Sequence, residues 1–86
     1  MAKVVLTRQA AEALEDLPLT IHARVVTLLE RLTKWPTVSG ARPLTGLLRG
    51  RHRLRTGDYR LQFRVEGRTV IVEKIGHRSR FYTDRK

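Results

Sequence analysis

Between Gly50 and Val65 the chain reads GRHRLRTGDYRLQFRV, and no other stretch restricts its fold as tightly. Arg51, Arg53 and Arg55 alternate with His52 and Leu54, and Tyr59, Leu61, Phe63 and Val65 alternate with Arg60, Gln62 and Arg64. A period of two is the spacing at which side chains share one side of an extended strand, so these are two strands. Thr56, Gly57 and Asp58 between them include the Gly and Asp of a tight reversal, which pairs the strands as an antiparallel hairpin. One hairpin face is then apolar, with Leu54, Tyr59, Leu61 and Phe63 directed at a cover. The other gathers Arg51, Arg53, Arg55, Arg60 and Arg64, and no acid is expected to project among them. Like charge at that density opposes folding unless a polyanion meets it. A solvated sheet face is the alternative, but solvated faces usually mix signs.

The cover comes from the residues before the hairpin. Lys3 to Leu6 is a short β-branched run ending at Thr7, whose hydroxyl suits the cap of a helix from Arg8 to Leu17 with Ala10, Leu14 and Leu17 inward. Pro18 closes that helix, and Thr20 is the expected cap of a longer one in which Ile21, Val25, Leu28, Leu29 and Leu32 form one apolar stripe. This second helix should stop at Trp35-Pro36. Two helices joined by so short a link make a helical hairpin that needs a sheet to cover. From Pro36 to Gly50 the Pro, Gly, Ser and Thr content reads as a loop anchored by Leu44, Leu47 and Leu48. Glu66-Gly67 reverses the chain again, and Thr69 to Ile75 (TVIVEKI) is a further strand beside the hairpin's second one. The expected fold is α+β: an N-terminal strand, a helical hairpin, then an antiparallel sheet of three further strands, in one domain over residues 1–86. A chain of 86 residues buries roughly 60–65% of its unfolded surface, enough for one such core.

Charge narrows the function. Residues 1–48 hold six Lys/Arg against four Asp/Glu, and residues 49–86 hold twelve against four, so most of the net +10 lies in the second half. A basic half of this kind points first to nucleic acid and next to an acidic protein; no basic amphipathic helix suggests a membrane. Arginine predominates there, which favours forked phosphate contacts. Cysteine is absent and His22, His52 and His77 have no ligand spacing, so neither a metal nor another cofactor is expected. The N-terminus has no leader or membrane-span pattern, and the expected location is cytoplasmic. Beyond Gly76 the chain delivers His77, Arg78, Arg80 and Tyr82 in six residues just past a strand, where sites are often built; a basic tail is the plainer reading.

Leu44-x-Gly46, Arg53-Leu54-Arg55-x-Gly57-Asp58-Tyr59-Arg60 and Ile75-Gly76-His77-Arg78 followed by Tyr82 together resemble the RelE/ParE superfamily of bacterial toxin-antitoxin toxins. The resemblance spans essentially the whole chain. It implies a cognate antitoxin, a toxin-antitoxin hetero-oligomer and one of two activities. RelE-like toxins are mRNA interferases, endoribonucleases that cut mRNA on the ribosome and inhibit translation; ParE-like toxins poison DNA gyrase. A binding-only homologue is a third reading. The RelE-type site maps onto Arg51 and Arg53, Arg60, Arg78 and Tyr82, which favours the ribonuclease branch. Arg60 and Arg78 are the expected stabilisers of a charged phosphorane, and Arg51, Arg53, Arg55 and Arg80 the expected RNA or phosphate binders. Tyr82 either stacks on a base, exchanges a proton with the reacting hydroxyl or merely packs. The family's basic pair is lysine where this chain has arginine, and arginine does not surrender a proton near neutrality. His77 therefore becomes the alternative proton carrier, or else a phosphate donor.

Overall fold

The hairpin forms the middle of a five-stranded sheet in the computed structural model, which describes residues 2–81. β1 (Lys3–Leu6) is followed by α1 (Arg8–Glu15) and α2 (Leu19–Leu32); β2 (Arg42–Pro43) and a 3₁₀ turn (Gly46–Leu48) lead into β3 (Arg51–Thr56), β4 (Tyr59–Glu66), β5 (Thr69–His77) and the short α3 (Arg78–Phe81). The strand order is β1-β5-β4-β3-β2. β3, β4 and β5 form the expected antiparallel meander, with β1 joining β5 in parallel and the two-residue β2 joining β3 antiparallel at the other edge. The sheet is therefore mixed, with the expected N-terminal strand at one edge and, at the other, the two-residue β2 in addition to the four strands expected. Gly57, at φ +58°, takes the left-handed conformation that the β3–β4 reversal demands.

Both helices lie on one face. Ala10 of α1 and Val25, Leu28 and Leu32 of α2 are buried against Leu54, Leu61, Phe63, Val70, Val72 and Ile75 of the sheet. Phe63 and Leu61 are completely buried, and each such side chain contributes about 1.5–3 kcal/mol of burial free energy. Trp35, just past α2, closes the core edge-on to Phe63 and His52, with ring centroids 5.3 and 5.0 Å away.

Thr7 caps α1 as expected, its Oγ1 accepting from the Ala10 N–H at 3.1 Å. Thr20 does not cap α2. The helix starts earlier, at Leu19, and the Pro18 carbonyl accepts its first backbone bond from His22 at 2.8 Å. Proline suits this cap position, at φ −54° and ψ 148°, because only its carbonyl is called on by the helix and its missing N–H leaves no helical bond unmade. Of the three leucines expected to anchor the following loop, Leu44 and Leu48 are half-buried but Leu47 is fully exposed, carried outward on the 3₁₀ turn. No helix among the described residues is long and apolar enough to cross a membrane.

Candidate nucleic-acid interface

The face turned away from the helices is the arginine face. Pairing of β3 with β4 sets Arg51 opposite Arg64, Arg53 opposite Gln62 and Arg55 opposite Arg60, while Leu54 meets Leu61 and His52 meets Phe63 on the helix side. The alternation read from the sequence thus sorts the side chains as expected, and Arg60 belongs to the uncovered face. Arg55 is exposed, and Arg51, Arg53, Arg60 and Arg64 are half-buried against their neighbours.

The face does contain an acid, contrary to the expectation of none. Gln62 pairs with Lys74 but Phe63 pairs with Val72, so Glu73 is the extra residue of a bulge in β5. Alternation from the buried Val70 and Val72 already carries Glu73 to the arginine face, and the bulge shifts the residues after it, so that Ile75 rather than Lys74 turns to the helices. Glu73 accepts from Arg51 through Nε at 2.7 Å and Nη2 at 3.2 Å, from Arg64 Nη1 at 2.6 Å and from Gln62 Nε2 at 3.3 Å. Partial burial pushes its carboxyl up, and the hydrogen bonds from Arg51, Arg64 and Gln62 more than reverse this, leaving it below its ordinary value of 4.5. Arg64, which also donates to Glu66 at 3.1 Å, is held charged by the two carboxylates. The signal in the sequence is the pair Glu73-Lys74 between Val72 and Ile75, two polar residues in succession where strict alternation allows one.

β2 adds a residue that the loop reading left out. Arg42 pairs with Arg53 across the β2–β3 ladder. With Arg55 and Gly40 these two arginines line a small cavity of about 130 Å³ at the edge of the sheet. A two-residue strand has too little alternation to show in sequence.

The residues past β5 divide between two sides. Gly76 lies opposite Arg60 and so places no side chain beside it on the open face, whereas His77 lies opposite Tyr59, their rings in edge contact at 5.1 Å. His77 thus faces a broad groove between α1 and the end of β5, lined also by Glu12, Asp16, Lys74 and Arg80. Its Nδ1 accepts the Ser79 backbone N–H at 3.0 Å and lies 2.8 Å from the Ser79 hydroxyl. With the Nδ1 lone pair so engaged, the neutral ring carries its proton on Nε2 and presents a donor. The Arg78 backbone N–H donates to Asp58 O at 2.7 Å, fastening α3 to the β3–β4 turn. Lys74 Nζ donates to the Phe81 carbonyl and sits 4.7 Å above the centre of the buried Phe81 ring, securing the other end. Arg78 and Arg80 are exposed. Tyr82 lies outside the described residues. Arg55, Arg60 and the backbone leading to Arg78 are therefore brought together on the open side, Arg51 is held by Glu73, and His77 is directed to the other side.

A mixed sheet with two helices on one face and an arginine-rich surface on the other defines a small basic α+β domain. Residues 4–82 match the family described as the ParE toxin of type II toxin-antitoxin systems, parDE, and the chain belongs to that family within the RelE/ParE superfamily. A chain of the toxin-antitoxin complex RelBE2 from Mycobacterium tuberculosis is similar at 32% identity and TM-score 0.79, covering 90% of this chain and 98% of that one. The isolated RelE toxin of E. coli shares the fold at 17% identity and TM-score 0.76, covering 90% and 84%; a chain of the RelB-RelE complex of Methanococcus jannaschii does so at 21% and 0.77, covering 92% and 95%. A search of curated proteins gives no match. The protein is a toxin of a type II toxin-antitoxin system.

Proposed function

We propose that this toxin is a metal-independent, ribosome-dependent endoribonuclease that cuts mRNA, inhibits translation and so arrests growth in the cytoplasm, restrained by a cognate antitoxin in a hetero-oligomer. What supports this reading most is the register that puts Arg55 opposite Arg60, and Arg60 opposite the side-chain-free Gly76, with Arg78 two residues beyond. In such a cleavage the ribose 2′-oxygen attacks phosphorus and loses its proton to a base, the bond to the 5′-oxygen breaks, and that oxygen takes up a proton. The five-coordinate state carries extra negative charge. Arg60 and Arg78 supply forked donors to it, each preorganised donor being worth about 3 kcal/mol. Arg53, Arg55 and Arg80 hold neighbouring phosphates, and Tyr82 either stacks on a base or exchanges the proton. His77, in the groove on the helix side of the sheet with its Nδ1 committed to Ser79, takes no part in this step.

Membership of the ParE toxin family favours a second reading, inhibition of DNA gyrase. Primer extension on ribosome-bound mRNA beside a gyrase supercoiling assay separates the two. For the nuclease, Arg60→Ala or Arg78→Ala lowers single-turnover cleavage by about 10² or more while weakening ribosome binding only modestly. Uncut mRNA with the wild type, together with growth arrest that persists in the double variant, establishes the gyrase reading instead.

A further inference from the structure

Resting on the ribonuclease reading, we propose that Arg42, Arg53 and Arg55 form a phosphate subsite that holds the RNA phosphodiester adjoining the one at Arg60. The cavity they enclose is about 130 Å³, and its lining is Gly40 and the three arginines. With no aromatic or apolar side chain in that lining, nothing there stacks a base; the chemistry offered is a converging set of guanidinium donors. Arginine forks match phosphate oxygens two at a time. Gly40, at φ +86°, brings backbone rather than a side chain to the wall.

Arg42 and Arg55 at one cavity repel each other, and among the described residues Glu73 and Glu66 are engaged elsewhere. Glu73 is held by Arg51 and Arg64, and Glu66 pairs with Arg64. Among the described residues neither Arg42 nor Arg55 forms an ion pair or a side-chain hydrogen bond. The cavity also sits where a strand of RNA running across the sheet has to pass. Arg55 is directly opposite Arg60, and β2 lies two strand spacings from β4, about 10 Å. A phosphate at Arg60 and another over Arg42 then belong to one continuous backbone. Sequence reading assigned phosphate contacts to Arg53 and Arg55; the structure adds Arg42 and makes the three one site.

The test uses the full chain in two arms. In the first, the Nε–Hε signals of Arg42 and Arg55 are followed by NMR while inorganic phosphate is added; these two are expected to move first and saturate. In the second, the affinity for a single-stranded RNA, made uncleavable by a 2′-deoxy residue at the scissile position, is measured against salt. The variants are Arg42→Ala/Arg55→Ala and the charge-matched Arg8→Ala/Arg68→Ala, whose side chains lie on α1 and in the β4–β5 turn. The first pair is expected to bind about tenfold more weakly and to reduce the salt slope by about 0.7, the loss of one phosphate contact on a single strand. The control pair should change affinity by about twofold, because its charges act only through a screened field. Equal losses in the two pairs, or phosphate shifts confined to other arginines, overturn the subsite. So does a cavity variant that loses antitoxin affinity while its RNA affinity is intact, since the occupant is then an acidic protein segment. If phosphate titrates Arg42 and Arg55 and RNA binding falls as expected, yet ribosome-bound mRNA is never cut, the subsite stands and the nuclease reading alone fails.

Discussion

Replacing Glu73 by Gln should destabilise the fold and tighten RNA binding at the same time. The Glu73 side chain is 16% exposed, and those of Arg51 and Arg64 are 33% and 35% exposed. Hydrogen bonds to charged groups contribute about 1.5–3 kcal/mol each when well shielded, but pairs open to water are worth about 0.2–1 kcal/mol. For a mostly covered carboxylate between two arginines that are each a third exposed, the loss is about 1–2 kcal/mol. Part of it is the repulsion left between Arg51 and Arg64, which the register sets directly opposite each other. In a chain of this size that lowers Tm by about 5–15 °C. The pH dependence has a definite sign. Glu73 is held below its ordinary 4.5, so its stabilisation is fully present above that value and is lost as pH falls through the folded-state pKa. Urea unfolding of wild type and Glu73→Gln should therefore differ by a constant amount from pH 6 to 8, and the gap should close on acidification below about pH 4.5. RNA affinity should rise, with a salt slope steeper by about 0.7 for each phosphate that Arg51 or Arg64 newly engages. A variant as stable as wild type at pH 7, or a stability gap that ignores pH, would refute the idea that Glu73 holds this half of the face together.

Thr7 Oγ1 caps α1 and donates to the Glu73 carbonyl at 3.3 Å, tying the helix start to the β5 bulge. Thr7→Ala should cost about 1–2 kcal/mol in urea unfolding and Thr7→Ser far less, and equal losses in the two would show that the hydroxyl is not the cause. His77→Asn keeps an acceptor for the Ser79 N–H, so mRNA cleavage should fall less than about tenfold; a loss of about 10² or more, with the disappearance of one limb of the pH–rate profile, would make His77 the proton carrier after all.

The parts of this molecule that were legible in the sequence are those governed by a single period. Alternation through β3 and β4 assigned Leu54, Leu61 and Phe63 to the core and Arg53, Arg55 and Arg60 to the open face, and the spacing of Val25, Leu28 and Leu32 gave the inner stripe of α2. What escaped is where a period breaks or is too short to register. The bulge at Glu73 reverses the faces of the residues after it, turning Ile75 and His77 to the helix side and Gly76 to the arginine face. β2 has two residues, so Arg42 carried no pattern that would place it beside Arg53. His77 escaped because of the bulge. Sequence proximity grouped it with Arg78, but strand pairing sets it opposite Tyr59, on the helix side of the sheet, while Gly76 and Arg60 share the other.

Glu73 also explains how so basic a face coexists with a folded chain. Alternation from the buried Val70 and Val72 carries Ile71, opposite Arg64, and then Glu73 to the arginine face, and without that carboxylate Arg51 and Arg64 would face each other across the ladder uncompensated. Glu73 and Glu66 neutralise Arg51 and Arg64 internally, and among the described residues the charges left without an ion pair on the β2–β3 side are those of Arg42 and Arg55. A face divided in this way is stable enough to fold and still carries unfavourable energy that an anion can relieve. By mass action, any anion that binds only the folded face raises the apparent stability with its concentration. The rise should be steepest for a ligand reaching the cavity and Arg60 together, because two phosphates on one backbone meet both sites without a second loss of translational freedom. On the ribonuclease reading, the arginines that limit the stability of this face are also the ones that meet RNA, and the position of one glutamate divides them.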